Sequence, residues 1–272
     1  MIALDTKREA LLAAIRRVGS CAVAFSGGVD SAVVAKAAAV TLAERAVAVT
    51  GASASLAEGE LEEASALAAL IGIRHVVVNT DELASADYTR NAPDRCYHCK
   101  TELYSRLARM LPELGVQAIV NGANADDLGD YRPGMRAASE YSIHSPLAEC
   151  GITKAEVREL AAGWGLPVWD KPAMPCLSSR IAYGEEVTPE RLAMIDRAEQ
   201  FLRGHSLANL RVRYHKGDLA RIEVPLVDLP RLLDAGLRAE LTSELRRLGF
   251  KFVTLDLEGF RSGSLNQLVQ IG

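Results

Sequence analysis

Through the first half of the chain, short apolar runs rich in β-branched residues alternate with longer alanine-rich stretches of helical period. The runs CAVAF (21–25), AVAVT (46–50), HVVVN (75–79) and QAIVNG (117–122) lack the in-and-out alternation of a half-exposed strand. They predict strands covered on both faces. Residues 30–43, 56–71 and 97–111 predict helices, and Glu58, Glu60, Glu62 and Glu63 bring negative charge to the positive end of the second. This alternation winds a parallel sheet between two helix layers, so the expected class is α/β with a doubly wound parallel sheet. The opening MIALDTKREALLAAIRR reads as an amphipathic helix, since Asp5, Lys7, Arg8 and Glu9 interrupt the apolar run that an export signal needs.

The pattern lapses over 122–150 and 164–187, where Gly, Pro, Asp, Tyr and Arg accumulate. Loops of that length in a compact domain are usually functional. After Thr188 the order becomes helix (188–203), strand (208–214), strand (219–224), helices (228–249) and strand (251–256). The expected organisation is therefore a nucleotide-type domain over 1–165, a connecting segment over 166–187 and a smaller α+β domain over 188–272, serving substrate binding and oligomerisation.

Composition narrows the function. The 272 residues are 49% hydrophobic and 24% charged, with a net charge of -4. That is a globular composition without the basic field that nucleic acid or an anionic membrane would call for, and no apolar stretch approaches the length of a membrane span. Five cysteines, an odd number without an export signal, point to a reducing cytoplasm and to thiols used in chemistry or packing.

Directly after the first strand comes Ser26-Gly27-Gly28-Val29-Asp30-Ser31, and a helix follows. Glycines there permit a tight turn and close backbone approach, while amides and helix dipole converge on one point. The result is an anion cradle. It lacks the lysine of the Walker loop and the third glycine of the dinucleotide fingerprint. Asp30 would repel a phosphate unless Mg2+ lay between them, which implies a metal-bound nucleotide. The segment resembles the SGGxDS loop of the PP-loop ATP pyrophosphatases, of the adenine nucleotide alpha hydrolase type. That resemblance implies cleavage of ATP to AMP and pyrophosphate through an adenylated substrate. It also implies ATP contacts from Ser26, Gly27, Gly28, Asp30 and Ser31, with adenine near Thr50 and Ser53. Gly122, in the polar run Asn121 to Gly134 after the fourth strand, faces the same crevice.

Cys176 lies in Lys171-Pro172-Ala173-Met174-Pro175-Cys176-Leu177-Ser178-Ser179-Arg180. The prolines exclude a helix and disfavour a central strand, so this thiol sits on irregular backbone where Arg180 favours its thiolate. Cys21, inside an apolar strand, reads as core. SGGVDS, PDRCYHCK (93–100), GANADDLGDYRPG (122–134) and PCLSSRIAYGEEVT (175–188) together resemble the LarE family of sulfur transferases, nearly end to end. The resemblance implies a pyridinium dicarboxylate mononucleotide as substrate, its carboxylate adenylated and then converted to a thiocarboxylate for the nickel-pincer nucleotide of lactate racemase. It assigns the sulfur-donating nucleophile to Cys176 and substrate contacts to Asp130, Arg132 and Arg180.

Two sulfur routes remain open, along with a metal alternative. Cys176 is consumed by elimination, or Cys96, Cys99 and Cys176 hold a [4Fe-4S] cluster whose fourth iron carries sulfide, or the CxxC pair forms a zinc site with Cys176 and His98. The cluster is narrowly the favoured expectation, because Cys96-x-x-Cys99 opens a helix at the sheet's carboxyl edge. In the small domain, Arg211 and Arg213 alternate along one strand, suited either to a substrate phosphate or to an exposed charged face. The reading that results is a cytoplasmic, homo-oligomeric enzyme acting on a small nucleotide. A tRNA thiolase and a nucleotide-binding regulator are the competing classes.

Overall fold

The computed structural model describes residues 2–129, 133–261 and 264–265. It divides into two compact units. The first takes in Met1–Ser53, Glu58–Glu82 and Cys96–Met174, and the second Ala54–Ala57, Leu83–Arg95 and Pro175–Gly272. The expected connecting segment 166–187 thus divides at Met174, and two short earlier stretches join the second unit.

In the first unit, β1 (Cys21–Ala24), β2 (Ala46–Ala52), β3 (Arg74–Asn79) and β4 (Ala118–Val120) form a parallel sheet in the order β3-β2-β1-β4. Alternate residues of β1 and β2 feed two cores. Cys21, Val23, Ala46 and Ala48 pack with Leu11, Ile15, Ala64, Leu67, Val157 and Leu160 on one side. Ala22, Val47 and Val49 pack with Tyr104, Leu107, Ala137 and Ala138 on the other. The Val29–Leu42 helix runs through the first layer with Val33, Val34, Ala35, Ala37 and Ala38 fully buried, which is why its sequence is apolar on nearly every side. Full burial also pushes the Cys21 thiol up to about 12.

Three expectations change. β3 lies at the sheet edge with Val77 43% exposed, so its continuous apolar run does not mean cover on both faces. The helix expected from residue 56 begins at Glu60, because Gly59 adopts a left-handed φ of +84° that ends the loop there. The stretch without periodicity contains short helices at Pro133–Glu140 and Pro146–Glu149, and the Lys154–Gly163 helix follows it.

The second unit carries β5 (Arg211–His215), β6 (Leu219–Glu223) and β7 (Phe252–Leu255). β5 is antiparallel to β6, and β6 is parallel to β7. The Pro189–Gly204 and Ala235–Leu248 helices bury Leu192, Ile195, Leu202, Leu241 and Leu245 with Val212, Ile222 and Phe250 of this unit. Asp234 caps the second helix by accepting from the Gly236 and Leu237 amides. No described helix is long and apolar enough to cross a membrane.

Candidate functional site

In the first unit's sheet the chain passes from β1 to β2 on one side, while β4 lies on β1's other side. The crevice at the carboxyl ends of β1 and β4 is therefore the topological switch point, where open α/β sheets bind ligands. The loop Ser26 to Ser31 leaves β1 at this place. Gly27 has a φ of +71°, and a Cβ on it would lie 3.2 Å from that of Ala64, so the turn requires glycine. Gly28 is the N-cap of the Val29–Leu42 helix and supplies no side-chain cap. Ser31 Oγ donates to the Gly28 carbonyl (3.0 Å) and accepts from the Ser26 amide (3.2 Å). These bonds hold the loop in the form its sequence anticipates.

The end of β4 closes against this loop. A Cβ on Gly122 would stand 2.7 Å from the Ser31 nitrogen and 3.0 Å from the Asp30 carbonyl carbon, so Gly122 allows two backbones to meet. Asn124 Nδ2 donates to Asp30 Oδ1 (3.1 Å), and the Asn124 amide donates to Asp127 Oδ2 (3.0 Å). Lys154 Nζ donates to the other Asp30 oxygen. Sequence reasoning anticipated the loop and Gly122 but missed Lys154. Its only sequence trace is its place after Thr153 in a Thr-x-x-Glu capping box.

At the end of β2, Thr50 is buried with its hydroxyl on the Phe25 carbonyl (2.8 Å) and 2.8 Å from His75 Nε2. Its side chain therefore ties β1 and β3 to β2. Partial burial lowers the His75 pKa. Ser53 Oγ donates to Glu82 Oε1 at 2.5 Å, and Glu82 itself is buried.

In the second unit, Cys176 is exposed and immediately precedes a single 3-10 turn, Leu177–Arg180. Its backbone is firmly held. Ser179 donates to the Cys176 carbonyl through both its amide (3.0 Å) and its hydroxyl (2.7 Å). Arg180 Nη1 adds bonds to the Cys176 carbonyl (2.9 Å) and the Pro175 carbonyl. The rest of the Arg180 guanidinium makes a two-pronged pair with Glu199, at 3.0 and 3.2 Å, with both side chains essentially buried. Arg180 thus acts on the Cys176 turn through its carbonyls. Tyr88 and Ser178 share a hydrogen bond of 2.6 Å, and Arg95 donates to the Ser178 carbonyl, fixing the same turn from its other end.

Arg211 and Arg213 are 4% and 5% exposed, so β5 presents no open charged face. Arg213 donates to Glu223 Oε2 at 2.9 and 3.0 Å and to the Ser179 carbonyl. Arg211 donates to the Leu210 carbonyl and lies 5.1 Å over the Phe260 ring. Burial, reinforced by the charge of Arg180, lowers its pKa to about 10.

Cys96 and Cys99 occupy the first turn of the Arg95–Leu114 helix, Cys96 exposed and Cys99 half-buried. Between them Tyr97 lies beneath the Arg136 guanidinium at 3.7 Å and donates to Glu140 (2.6 Å). Among the described residues no group of three or more His, Cys, Asp or Glu is gathered as a metal site. Cys96 and Cys99 belong to the first unit and Cys176 to the second. Asp130 and Arg132 fall outside the described residues.

Comparison with known proteins bears on this arrangement. The asparagine synthase family matches residues 7–128. An uncharacterized protein of Synechocystis sp. is 46% identical over 98% of this chain and 99% of its own length. The pyridinium-3,5-bisthiocarboxylic acid mononucleotide synthase of Lactiplantibacillus plantarum is 38% identical over 98% of this chain and 96% of its own. A tRNA-specific 2-thiouridylase of Xanthobacter autotrophicus is 32% identical, but the match covers 55% of this chain and 48% of that enzyme. End-to-end similarity to the synthase, together with the PP-loop at the switch point, shows that the chain belongs to the LarE family of ATP-dependent sulfurtransferases.

Proposed function

We propose that this protein adenylates a carboxylate of a pyridinium dicarboxylate mononucleotide and converts it to a thiocarboxylate, with Cys176 delivering the sulfur. The observation that carries this reading is the near-complete alignment with the Lactiplantibacillus plantarum synthase, supported by an exposed thiol on a pinned turn. The match to thiouridylases stops at about half of either chain, which disfavours a tRNA substrate.

The loop amides at the start of the Val29–Leu42 helix receive the phosphates of ATP, whose Mg2+ Asp30 would hold with phosphate oxygens. Bound Mg2+ supplies charge neutralisation on the departing pyrophosphate. A substrate carboxylate oxygen attacks the α-phosphorus, the bond to the bridging oxygen breaks, and pyrophosphate leaves. Adenylation replaces an oxide leaving group with AMP. The Cys176 thiolate then attacks the acyl carbon, AMP departs, and a thioester joins substrate to protein. Loss of the Cys176 α-proton and cleavage of its Cβ–Sγ bond release the thiocarboxylate and leave dehydroalanine. A bisthiocarboxylate product requires the sequence twice, so in this sacrificial form two chains are consumed per product.

The experiment is to incubate the protein with ATP, Mg2+ and the mononucleotide and weigh both protein and product. Expected are AMP, pyrophosphate, a thiocarboxylate and a protein lighter by about 34 Da, the mass of hydrogen sulfide. Cys176→Ala should still form AMP and pyrophosphate but transfer no sulfur. Sulfur transfer by that variant refutes the assignment of Cys176. A protein of unchanged mass that turns over repeatedly on added sulfide, and loses this with Cys96→Ala, would replace the sacrificial route with the three-cysteine cluster.

A further inference from the structure

We propose that Ser179 and Arg180 form an oxyanion hole on the Cys176 carbonyl, and that this hole drives the β-elimination by which Cys176 gives up its sulfur. Both side chains are then catalytic residues, because the oxygen they touch takes up the negative charge of the reaction. The inference deepens the sacrificial form of the proposed function and rests on it.

The Cys176 carbonyl oxygen receives three donors. The Ser179 amide lies at 3.0 Å, the Ser179 hydroxyl at 2.7 Å and Arg180 Nη1 at 2.9 Å. A 3-10 turn needs only the first of these, the amide three residues on, and a neutral carbonyl has two lone pairs. A third donor, with a guanidinium in the set, suits an oxygen that carries a full negative charge. The donors also reinforce one another. Arg180 Nη1 donates to Ser179 Oγ at 3.3 Å, which polarises that hydroxyl towards Cys176. The guanidinium is fixed before any reaction begins, since its Nε and Nη2 pair with Glu199 at 3.0 and 3.2 Å and Arg180 is 1% exposed. Glu199 is shared with Arg203 and the Val212 amide. Two guanidiniums thus face one carboxylate, and positive charge is left over beside the turn.

Elimination from a thioester of Cys176 puts its charge on this oxygen. Cys176 is exposed, so a base in solvent can take the α-proton. The C–H electron pair moves into the bond between Cα and the carbonyl carbon, and the carbonyl oxygen becomes an enolate. That pair then returns to form the Cα–Cβ double bond, while the Cβ–Sγ pair leaves with the thiocarboxylate. No external oxidant or reductant enters. The oxygen is charged only between the two neutral peptides, so preplaced donors stabilise the transition state more than the ground state. Cys96, the other exposed thiol, lies in the first turn of the Arg95–Leu114 helix and serves as an internal reference.

The test uses a leaving group that needs neither ATP nor mononucleotide. A bis-alkylating reagent converts the exposed cysteines of the full chain to cyclic sulfoniums, and mass mapping at mildly alkaline pH follows their elimination to dehydroalanine. Elimination at Cys176 should outpace that at Cys96. Ser179→Ala should slow it about 100-fold, the loss of one oxyanion donor, and leave Cys96 within about twofold. Ser179→Thr keeps the hydroxyl and should stay close to the parent, whereas Arg180→Met, lacking the charged donor, should slow Cys176 at least as much as Ser179→Ala. With ATP, Mg2+ and the mononucleotide, Ser179→Ala should form AMP at the parental rate and accumulate the protein–substrate thioester. The inference is overturned if Ser179→Ala changes elimination at Cys176 by less than about twofold, if it slows Cys96 equally, or if the alanine and threonine variants behave alike. Ser179-dependent elimination in a protein that makes no thiocarboxylate would refute the sulfur-transfer reading alone. Thiocarboxylate release by Ser179→Ala at the parental rate, with no thioester accumulating, would refute this inference alone.

Discussion

Replacing Gly122 by alanine tests how the ATP loop is held. The added methyl would stand 2.7 Å from the Ser31 nitrogen and 3.0 Å from the Asp30 carbonyl carbon. Both atoms are backbone, so neither yields by a rotamer change. Reaching ordinary contact requires a displacement of about 0.7 Å between β4 and the loop. Overpacking of this kind costs about 1–3 kcal/mol, which at about 2–4 °C per kcal/mol lowers Tm by several degrees. The functional loss should be larger than the stability loss suggests. A shift approaching 1 Å in groups that position a reacting phosphate costs on the order of 100-fold in rate. Gly163→Ala is the control: it sits at a helix end, its φ is not left-handed, and nothing lies within 4 Å of a Cβ there. That variant should be neutral or slightly stabilised. Thermal unfolding and AMP formation measure both effects. A Gly122→Ala protein melting within about 1 °C of the parent, with AMP formation within about twofold, would show that this close approach does not hold the loop.

Arg180→Met should destabilise the protein by about 1–3 kcal/mol in urea denaturation, because buried Glu199 loses its two-pronged partner while keeping Arg203 and the Val212 amide. It should also speed alkylation of Cys176, whose carbonyl and that of Pro175 lose a shared donor; an unchanged alkylation rate would argue against this positioning role. Cys21 gives a pH effect of definite sign. Its folded pKa of about 12 lies above the ordinary thiol value, so between about pH 9 and pH 12 the unfolded chain has lost the proton and the folded one keeps it. The stability this thiol contributes is complete below about pH 9 and falls by about 1.4 kcal/mol per pH unit above it. Cys21→Ala should flatten the alkaline limb of the stability curve by that slope, and an unchanged slope would refute the assignment.

The sequence determined whatever depends on neighbouring residues. Apolar runs of β-branched residues announced all four strands of the first sheet, and Ser26-Gly27-Gly28 announced a turn opening a helix, because turn and dipole are properties of a few consecutive residues. The thiol on irregular backbone was legible from Pro172 and Pro175 for the same reason. Tertiary structure decided what depends on residues far apart in the chain. That β3 is an edge strand follows from sheet order, which its apolar run does not encode. Which acid a buried arginine pairs with is fixed by a partner elsewhere in the chain: Arg213 finds Glu223, and Arg180 finds Glu199. That the Thr50 hydroxyl ties strands together follows from Phe25 and His75 converging on it. Lys154 reached Asp30 across 124 positions, a pairing no local pattern carries, because only the folded sheet brings the start of the Lys154–Gly163 helix to the mouth of the loop after β1.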